Sequence, residues 1–271
     1  MELCMNLEYL SKDIGLSEAV KAVKNAGFRL LDYTPDVSRD WRADIYEVLD
    51  CIESNGLQVY QSHAPFNRYL KASAEEHRRL VDESLSAAVL LGAKYLVVHG
   101  DEFDFSNLTY SPQAALDYNY DYFAPIVEKA EKYGVGIAFE NVFEENQTAP
   151  RNCSKAEDLI ALIDRFHCSC VCCCWDFGHG AVAYKEKQDE AIRLMGNRIR
   201  CTHVHDNYLY ADMHLIPFFG KIDWRTCMNA LKEGGMPEVL SFELVYGCVP
   251  FSAALPAMRL LYCLGEQLIS F

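Results

Sequence analysis

The stretch Glu75–Gly100, EEHRRLVDESLSAAVLLGAKYLVVHG, holds one complete structural unit of this chain. Its first part is highly charged, yet Val81, Leu85 and Ala88 fall at i, i+4 and i+7. That single apolar stripe predicts an amphipathic helix over Glu75–Leu91. Gly92 follows, and glycine tolerates the left-handed dihedrals that end a helix. Then comes Tyr95–His99, a short aromatic and β-branched run without polar alternation, as expected for a parallel strand buried on both faces. The strand ends on a histidine.

The same helix–glycine–strand punctuation recurs at Gly27, Gly56 and Gly134. Asp44–Ser54, for example, carries Ile45, Val48, Leu49 and Ile52 at helical spacing before Gly56. Along the chain the strand candidates are Glu2–Asn6, Phe28–Tyr33, Gln58–His63, Tyr95–His99, Val135–Glu140, Val171–Asp176, Ile199–His205 and Val239–Glu243. Strict alternation with helices predicts a parallel sheet. Eight units in 271 residues predict closure into an α/β (β/α)8 TIM barrel, a single domain spanning residues 1–271. No GxGxxG or GxxxxGK[ST] opens a helix, which weighs against a nucleotide-binding open sheet.

Composition narrows the partners. Hydrophobic residues make up 51% of the chain, enough for a large core. The formal charge is −14, and no basic run exceeds Arg78-Arg79, so the field repels nucleic acid. Met1–Asn6 has no basic leader region, and the longest uncharged run, Leu244–Met258, is interrupted by Gly247, Pro250 and Pro256. No membrane segment is expected, and the protein should be soluble and cytoplasmic. Twelve cysteines then suggest free thiols in a reducing compartment. Cys168, Cys170, Cys172, Cys173 and Cys174 run straight into Trp175-Asp176, without the separated pairs of a zinc site, and predict small hydrophobes in a buried strand.

Six successive strand candidates finish on titratable side chains: His63, His99, Glu140, Asp176, the pair His203 and His205, and Glu243. In a closed barrel those ends form one ring around the catalytic mouth. Glu140, Asp176 and Glu243 would place three like charges in a confined space, which requires compensation. Imidazoles and carboxylates together are the ligand set of zinc, manganese, iron or cobalt. His77, in a charged helical stretch, and His167, near a helix end, are expected at the surface.

The order of Ser62-His63-Ala64-Pro65, Phe139-Glu140-Asn141, Asp176-Phe177-Gly178-His179, His203-Val204-His205-Asp206-Asn207, Asp212-Met213-His214-Leu215-Ile216-Pro217 and Gly220-Lys221-Ile222-Asp223-Trp224 resembles the xylose isomerase-like barrel superfamily. That superfamily includes sugar isomerases, sugar epimerases and endonuclease IV. The resemblance implies a metal-dependent isomerase or epimerase of carbohydrate metabolism acting on a small sugar or sugar phosphate. Manganese or zinc would be its cofactor, with cobalt or magnesium also compatible. One ion would be held by Glu140, Asp176, His203 and Glu243, with Glu140 and Glu243 as catalytic acid and base. His203 fits the family's His-x-x-Asp best, and His205 is the alternative. The resemblance to endonuclease IV implies a second reading, a multinuclear zinc phosphodiesterase using His63, His99, Glu140, Asp176, His179, His203, Asp212, His214 and Glu243. The acidic charge argues against DNA, and the acidic, aromatic loop Asp101–Tyr110 suits stacking on a sugar ring. The chain departs from the family where Phe218-Phe219-Gly220 replaces Gly-x-Gly. A homo-oligomer is compatible with all of this.

Overall fold

Runs such as Tyr-Leu-Val-Val at 95–98 have no polar face to turn toward water, so each strand needs a neighbour on both edges and cover on both faces. A computed structural model describes residues 1–66, 72–100, 110–144, 151–244 and 251–271. Its strands are β1 (Glu2–Asn6), β2 (Leu30–Asp32), β3 (Gln58–His63), β4 (Tyr95–His99), β5 (Gly136–Glu140), β6 (Val171–Asp176), β7 (Ile199–His203) and β8 (Val239–Phe242). All pair in parallel, in the order β7-β6-β5-β4-β3-β2-β1-β8. The cylinder is drawn together between β7 and β8 by a short seam. Val204 N donates to the Ser241 carbonyl at 2.7 Å, and Glu243 N donates to the Val204 carbonyl at 3.3 Å. Ser241 N also donates to the Thr202 hydroxyl at 3.1 Å. The fold is the expected (β/α)8 barrel.

The helices are α1 (Glu8–Ile14), α2 (Leu16–Ala26), α3 (Ile45–Ser54), α4 (Ala74–Leu90), α5 (Pro112–Tyr133), α6 (Ala156–Arg165), α7 (Phe177–Tyr184), α8 (Gln188–Met195), α9 (Trp224–Gly234) and α10 (Phe251–Ser270). Helix α4 starts where the Ser73 side chain accepts from Glu76 N (3.1 Å). It gives way to β4 through Gly92 at φ +68°, as the quoted stretch predicts.

Inward-facing residues alternate along barrel strands. Cys4, Leu30, Tyr60, Val97, Ala138, Cys172, Cys174, Cys201 and Val239 form one cluster drawn from all eight strands, the interior column of the cylinder. Advancing by two along most strands leads from this column to the polar strand ends: Asn6, Asp32, His99, Glu140, Asp176, His203 and, through Ser241, Glu243. On β3 a register shift against Leu31/Asp32 brings His63 into the same ring. The second, larger core lies outside the strands, against the helices, and includes Phe28, Phe123, Phe139 and Trp175.

Three expectations need correction. Strand β7 stops at His203 instead of His205, because Asp206 turns to pair antiparallel with Leu215. Strand β2 covers only Leu30–Asp32 of the expected Phe28–Tyr33. His77 is not a surface residue. It is buried beneath the β3–α4 connection, with Nε2 donating to the Pro65 carbonyl (3.0 Å) and Nδ1 facing the Tyr122 hydroxyl (2.6 Å). Its charged neighbours in sequence sit on the other faces of α4. His167 is exposed, as expected. Cys172, Cys173 and Cys174 are buried in β6, and burial pushes the Cys173 thiol well up, consistent with small hydrophobes, whereas Cys168 and Cys170 precede the strand and are half-buried. Among the described residues no helix is long and apolar enough to cross a membrane.

Candidate metal centre

Glu140, at the end of β5, is the hub of the ring and is almost wholly buried. Its Oε2 lies 2.9 Å from His63 Nε2 and 3.0 Å from His99 Nε2. Its Oε1 lies 3.1 Å from His179 Nδ1 and 3.3 Å from His203 Nδ1. Three strands, β3, β4 and β7, and α7 therefore converge on the carboxylate that ends β5.

Asp176 is locked beside it by Asn141. The Asn141 amide donates to the Asp176 carbonyl (2.9 Å), and Asp176 N donates to Asn141 Oδ1 (2.6 Å). The Asp176 side chain caps α7 by accepting from His179 N at 2.6 Å, while its Oδ2 meets His205 Nε2 at 3.0 Å. Glu243 Oε2 approaches from beyond β8 to 3.3 Å from His203 Nδ1.

Three of the histidines are oriented through backbone carbonyls. His63 Nδ1 faces Ala64 O (2.6 Å), His179 Nδ1 faces Asn141 O (2.9 Å) and His214 Nδ1 faces Glu243 O (3.2 Å). That arrangement fixes the tautomer and leaves Nε2 available toward the carboxylates, as outer-shell contacts do for metal-ligating histidines. The ligand atoms of His63, His99 and Glu140 lie within 4.8 Å of one another, as do those of Glu140, Asp176 and His179, of Asp176, His205 and Glu243, and of His205, Asp212 and His214.

The electrostatics call for positive charge. Burial opposes charging of His203, His179 and His63, but the neighbouring carboxylates override it and hold all three above the usual imidazole range. His214 is raised to about 9, burial being outweighed by Asp212 and Glu243. Glu140, Asp176 and Asp212 are correspondingly held low by the imidazoles despite burial. A divalent cation competes with those protons for the same lone pairs. The donor set passes a stricter test at His203. It is fully buried, and neither ring nitrogen has a partner in hydrogen-bond geometry among the described residues. The carboxylate oxygens 3.3 Å from its Nδ1 lie off the line of a ring N–H. An imidazole held among carboxylates without bonding any of them fits a ligand facing a shared ion.

All nine residues suggested by sequence are thus brought together. His203 and His205 do not point the same way: His203 faces Glu140 and Glu243, whereas His205 faces Asp176 and stacks on His214 with ring centroids 4.0 Å apart. Sequence reading missed Asp32, a fully buried carboxylate ending β2, which accepts from Gln61 Nε2 (3.1 Å) and lies 3.5 Å from His203 Nε2. Strand-end parity would have found it.

Asp206 was also missed as an organiser. Its buried carboxylate accepts from Asn207 N (2.8 Å), Phe218 N (2.9 Å), Ile222 N (3.2 Å) and Trp224 Nε1 (2.9 Å), pinning the loop that carries Asp212 and His214. Gly220 is needed here because a Cβ would come within 2.3 Å of Asp206 Oδ1. Phe218 itself takes φ +73°, a left-handed conformation uncommon for a residue other than glycine. Asp206→Ala strands several donors and is expected to cost about 3 kcal/mol or more. Thermal unfolding would register this as a lowered Tm, and an unchanged Tm would remove Asp206 from the role of anchor.

The ring floors a cavity of about 610 Å³ lined also by Tyr9, Lys12, Phe66, Phe143 and Arg151. Aromatic rings rise over its histidines: Phe66 lies 4.3 Å from His99 and Phe143 5.2 Å from His179, centroid to centroid. Residues 101–109 of the loop expected to stack on a sugar lie outside the described residues.

A family profile described as xylose isomerase-like TIM barrel matches residues 20–261. The chain is similar to the uncharacterized protein y4fM of Sinorhizobium fredii, 24% identical over 269 residues, covering 85% of this chain and 81% of that protein. It is also similar to the uncharacterized protein MJ1311 of Methanocaldococcus jannaschii, 29% identical over 187 residues, covering 67% and 62%. Among solved structures it resembles a D-tagatose 3-epimerase-like protein (TM-score 0.78, 19% identity, covering 100% of this chain and 98% of that one). It likewise resembles D-psicose 3-epimerase in the presence of D-fructose (TM-score 0.79, 13% identity, covering 100% of both). IolI protein with a bound zinc atom is a third such structure (TM-score 0.78, 17% identity, covering 100% and 98%). At these identities the likeness to solved structures is one of fold. The family profile, spanning the barrel from α2 into α10, shows more: the chain belongs to the xylose isomerase-like TIM barrel family.

Proposed function

We propose that this chain is a metal-dependent sugar or sugar-phosphate isomerase or epimerase that moves a proton at the carbon beside a carbonyl. The observation that carries the reading is the placement of Glu140 and Glu243. Both carboxylates line the cavity, they come from strands far apart around the ring, and each reaches 3.3 Å from His203 Nδ1. Two carboxylates at the floor of one sugar-sized cavity can serve as general base and general acid to a single substrate.

Glu140, Asp176, His203 and Glu243 would hold the cation, for which manganese and zinc suit the mixed nitrogen and oxygen donors, with cobalt or magnesium as substitutes. When bound, the cation supplies Lewis acidity toward adjacent carbonyl and hydroxyl oxygens and so acidifies the neighbouring C–H. The protein's own part is proton traffic. One glutamate takes the proton and the other returns one. Return to the opposite face of the same carbon epimerises, and return to the neighbouring carbon interconverts aldose and ketose. Asn141 and the carbonyl-anchored imidazoles hold these groups in place. The zinc of IolI and the sugar epimerases among the structural neighbours support this reading.

One observation favours a second reading. The His63–His99–Glu140 and His205–Asp212–His214 groups add capacity for further cations, which suits a zinc phosphodiesterase. Against it stand the −14 charge and a cavity whose lysine and arginine lining consists of Lys12 and Arg151 among the described residues. The deciding experiment incubates the manganese-loaded protein with aldoses, ketoses and their phosphates in deuterated water. Deuterium at the carbon next to the carbonyl is expected. Hydrolysis of a phosphodiester with no deuterium in any sugar would transfer the assignment to the second reading.

A further inference from the structure

Backbone carbonyls stand behind the imidazoles of His63, His179 and His214, but a buried carboxylate stands behind His203. On the metal reading of the cavity, which it deepens, we infer that Asp32 is a positioning residue: it accepts the Nε2–H of His203 and so turns Nδ1 toward the cation.

Both sides of the His203 ring face carboxylates. Glu140 Oε1 and Glu243 Oε2 each lie 3.3 Å from Nδ1, and Asp32 Oδ2 lies 3.5 Å from Nε2. The two nitrogens of an imidazole point in diverging directions, so Asp32 cannot share an ion with Nδ1. Nor does it belong to any of the groups whose donor atoms lie within 4.8 Å of one another. Ligation through Nδ1 leaves the ring proton on Nε2, and Asp32 Oδ2 is the acceptor that faces it.

Asp32 and Gln61 are both fully buried. The Asp32 carboxylate takes a hydrogen bond from Gln61 Nε2 at 3.1 Å. Asp32 Oδ1 and both His203 nitrogens are buried without a partner in hydrogen-bond geometry among the described residues. A buried carboxylate held by one neutral donor is costly unless it meets positive charge or a strong donor. The strand register is altered to make that meeting. Leu30 pairs with Gln58 and Leu31 with Val59, but Asp32 pairs with Gln61 instead of Tyr60. The irregularity sets the Gln61 amide beside Asp32, as bulges next to sites re-aim side chains. A carboxylate on the far ring nitrogen of a ligating histidine fixes the tautomer and strengthens the near nitrogen as a donor.

The test compares the cobalt(II) affinity of wild type and Asp32→Asn, both as the full chain, by visible absorption. Asparagine keeps the shape, but its amide can donate to Nε2 and so favour the tautomer with its proton on Nδ1. The variant is expected to bind cobalt about 10- to 100-fold more weakly while keeping the wild-type circular dichroism. A merely structural Asp32 would lower the metal-free Tm and leave the affinity of the folded variant as it was. An unchanged dissociation constant therefore overturns the inference. If Asp32→Asn does not fold, wild type decides. Long-range proton–nitrogen NMR of the zinc-loaded chain, with isotope-labelled histidine, is expected to show His203 protonated at Nε2, and a proton on Nδ1 overturns the inference. A wild type that binds no cobalt overturns it together with the metal reading. Neither measurement needs substrate. Weakened affinity in Asp32→Asn, in a chain that puts deuterium into no sugar, keeps this role and loses the isomerase reading. Unchanged affinity in a chain that labels a sugar does the reverse.

Discussion

Glu140→Gln is expected to reduce turnover by about 10³-fold or more, the scale of losing a positioned general acid or base. The loss should fall on kcat, because the substituted side chain keeps its size and leaves the cavity walls intact. The fold should survive. Glu140 sits at the top of the interior column, above Ala138, and the apolar packing of the barrel lies below and outside it. The substitution removes the carboxylate that holds His63, His99, His179 and His203. His63, His179 and His203 would then release protons more readily, so charge balance in the pocket is restored without unfolding. Circular dichroism and steady-state kinetics on the sugar identified by deuterium labelling check both halves. Full turnover in the variant would take Glu140 out of the mechanism.

For Asp176→Ala the expected result is loss of metal, with affinity down by more than about 100-fold, since even outer-shell losses cost 10–100-fold. The substitution also removes the cap of α7, worth about 1 kcal/mol. Asp176→Asn separates the two roles. Asparagine still offers an oxygen to His179 N, so it should unfold near the wild-type Tm, yet it lacks the charge that draws the cation. Metal content after dialysis should therefore fall in both variants, and Tm should fall chiefly in the alanine one. Undiminished metal in both would refute the assignment of Asp176 as a ligand.

The barrel was legible because its evidence is local and repeated: a helical stripe, a glycine at positive φ, then an apolar strand, as in α4, Gly92 and β4. The six titratable strand ends were legible for the same reason, since parity along a strand fixes which side chain faces inward. What escaped depended on contacts remote in sequence. His77 looks like a surface residue beside Arg78 and Arg79, and only the Pro65 carbonyl and Tyr122, from other elements, bury it. Asp32 is different: it ends a strand as the others do, and it escaped because the expected strand ran one residue further, to Tyr33. The divergence of His203 and His205 follows from the turn at Asp206, whose four donors come from residues 207 to 224. No periodicity encodes such a turn.

The sulfurs of Cys4, Cys172, Cys174 and Cys201 lie inside the cylinder, where a bulky alkylating reagent has no route while the strands stay paired. Cys263, exposed on the outer surface, reacts without any such opening. The slow phase of alkylation is therefore a clock for whole-molecule opening, readable at physiological temperature without denaturant.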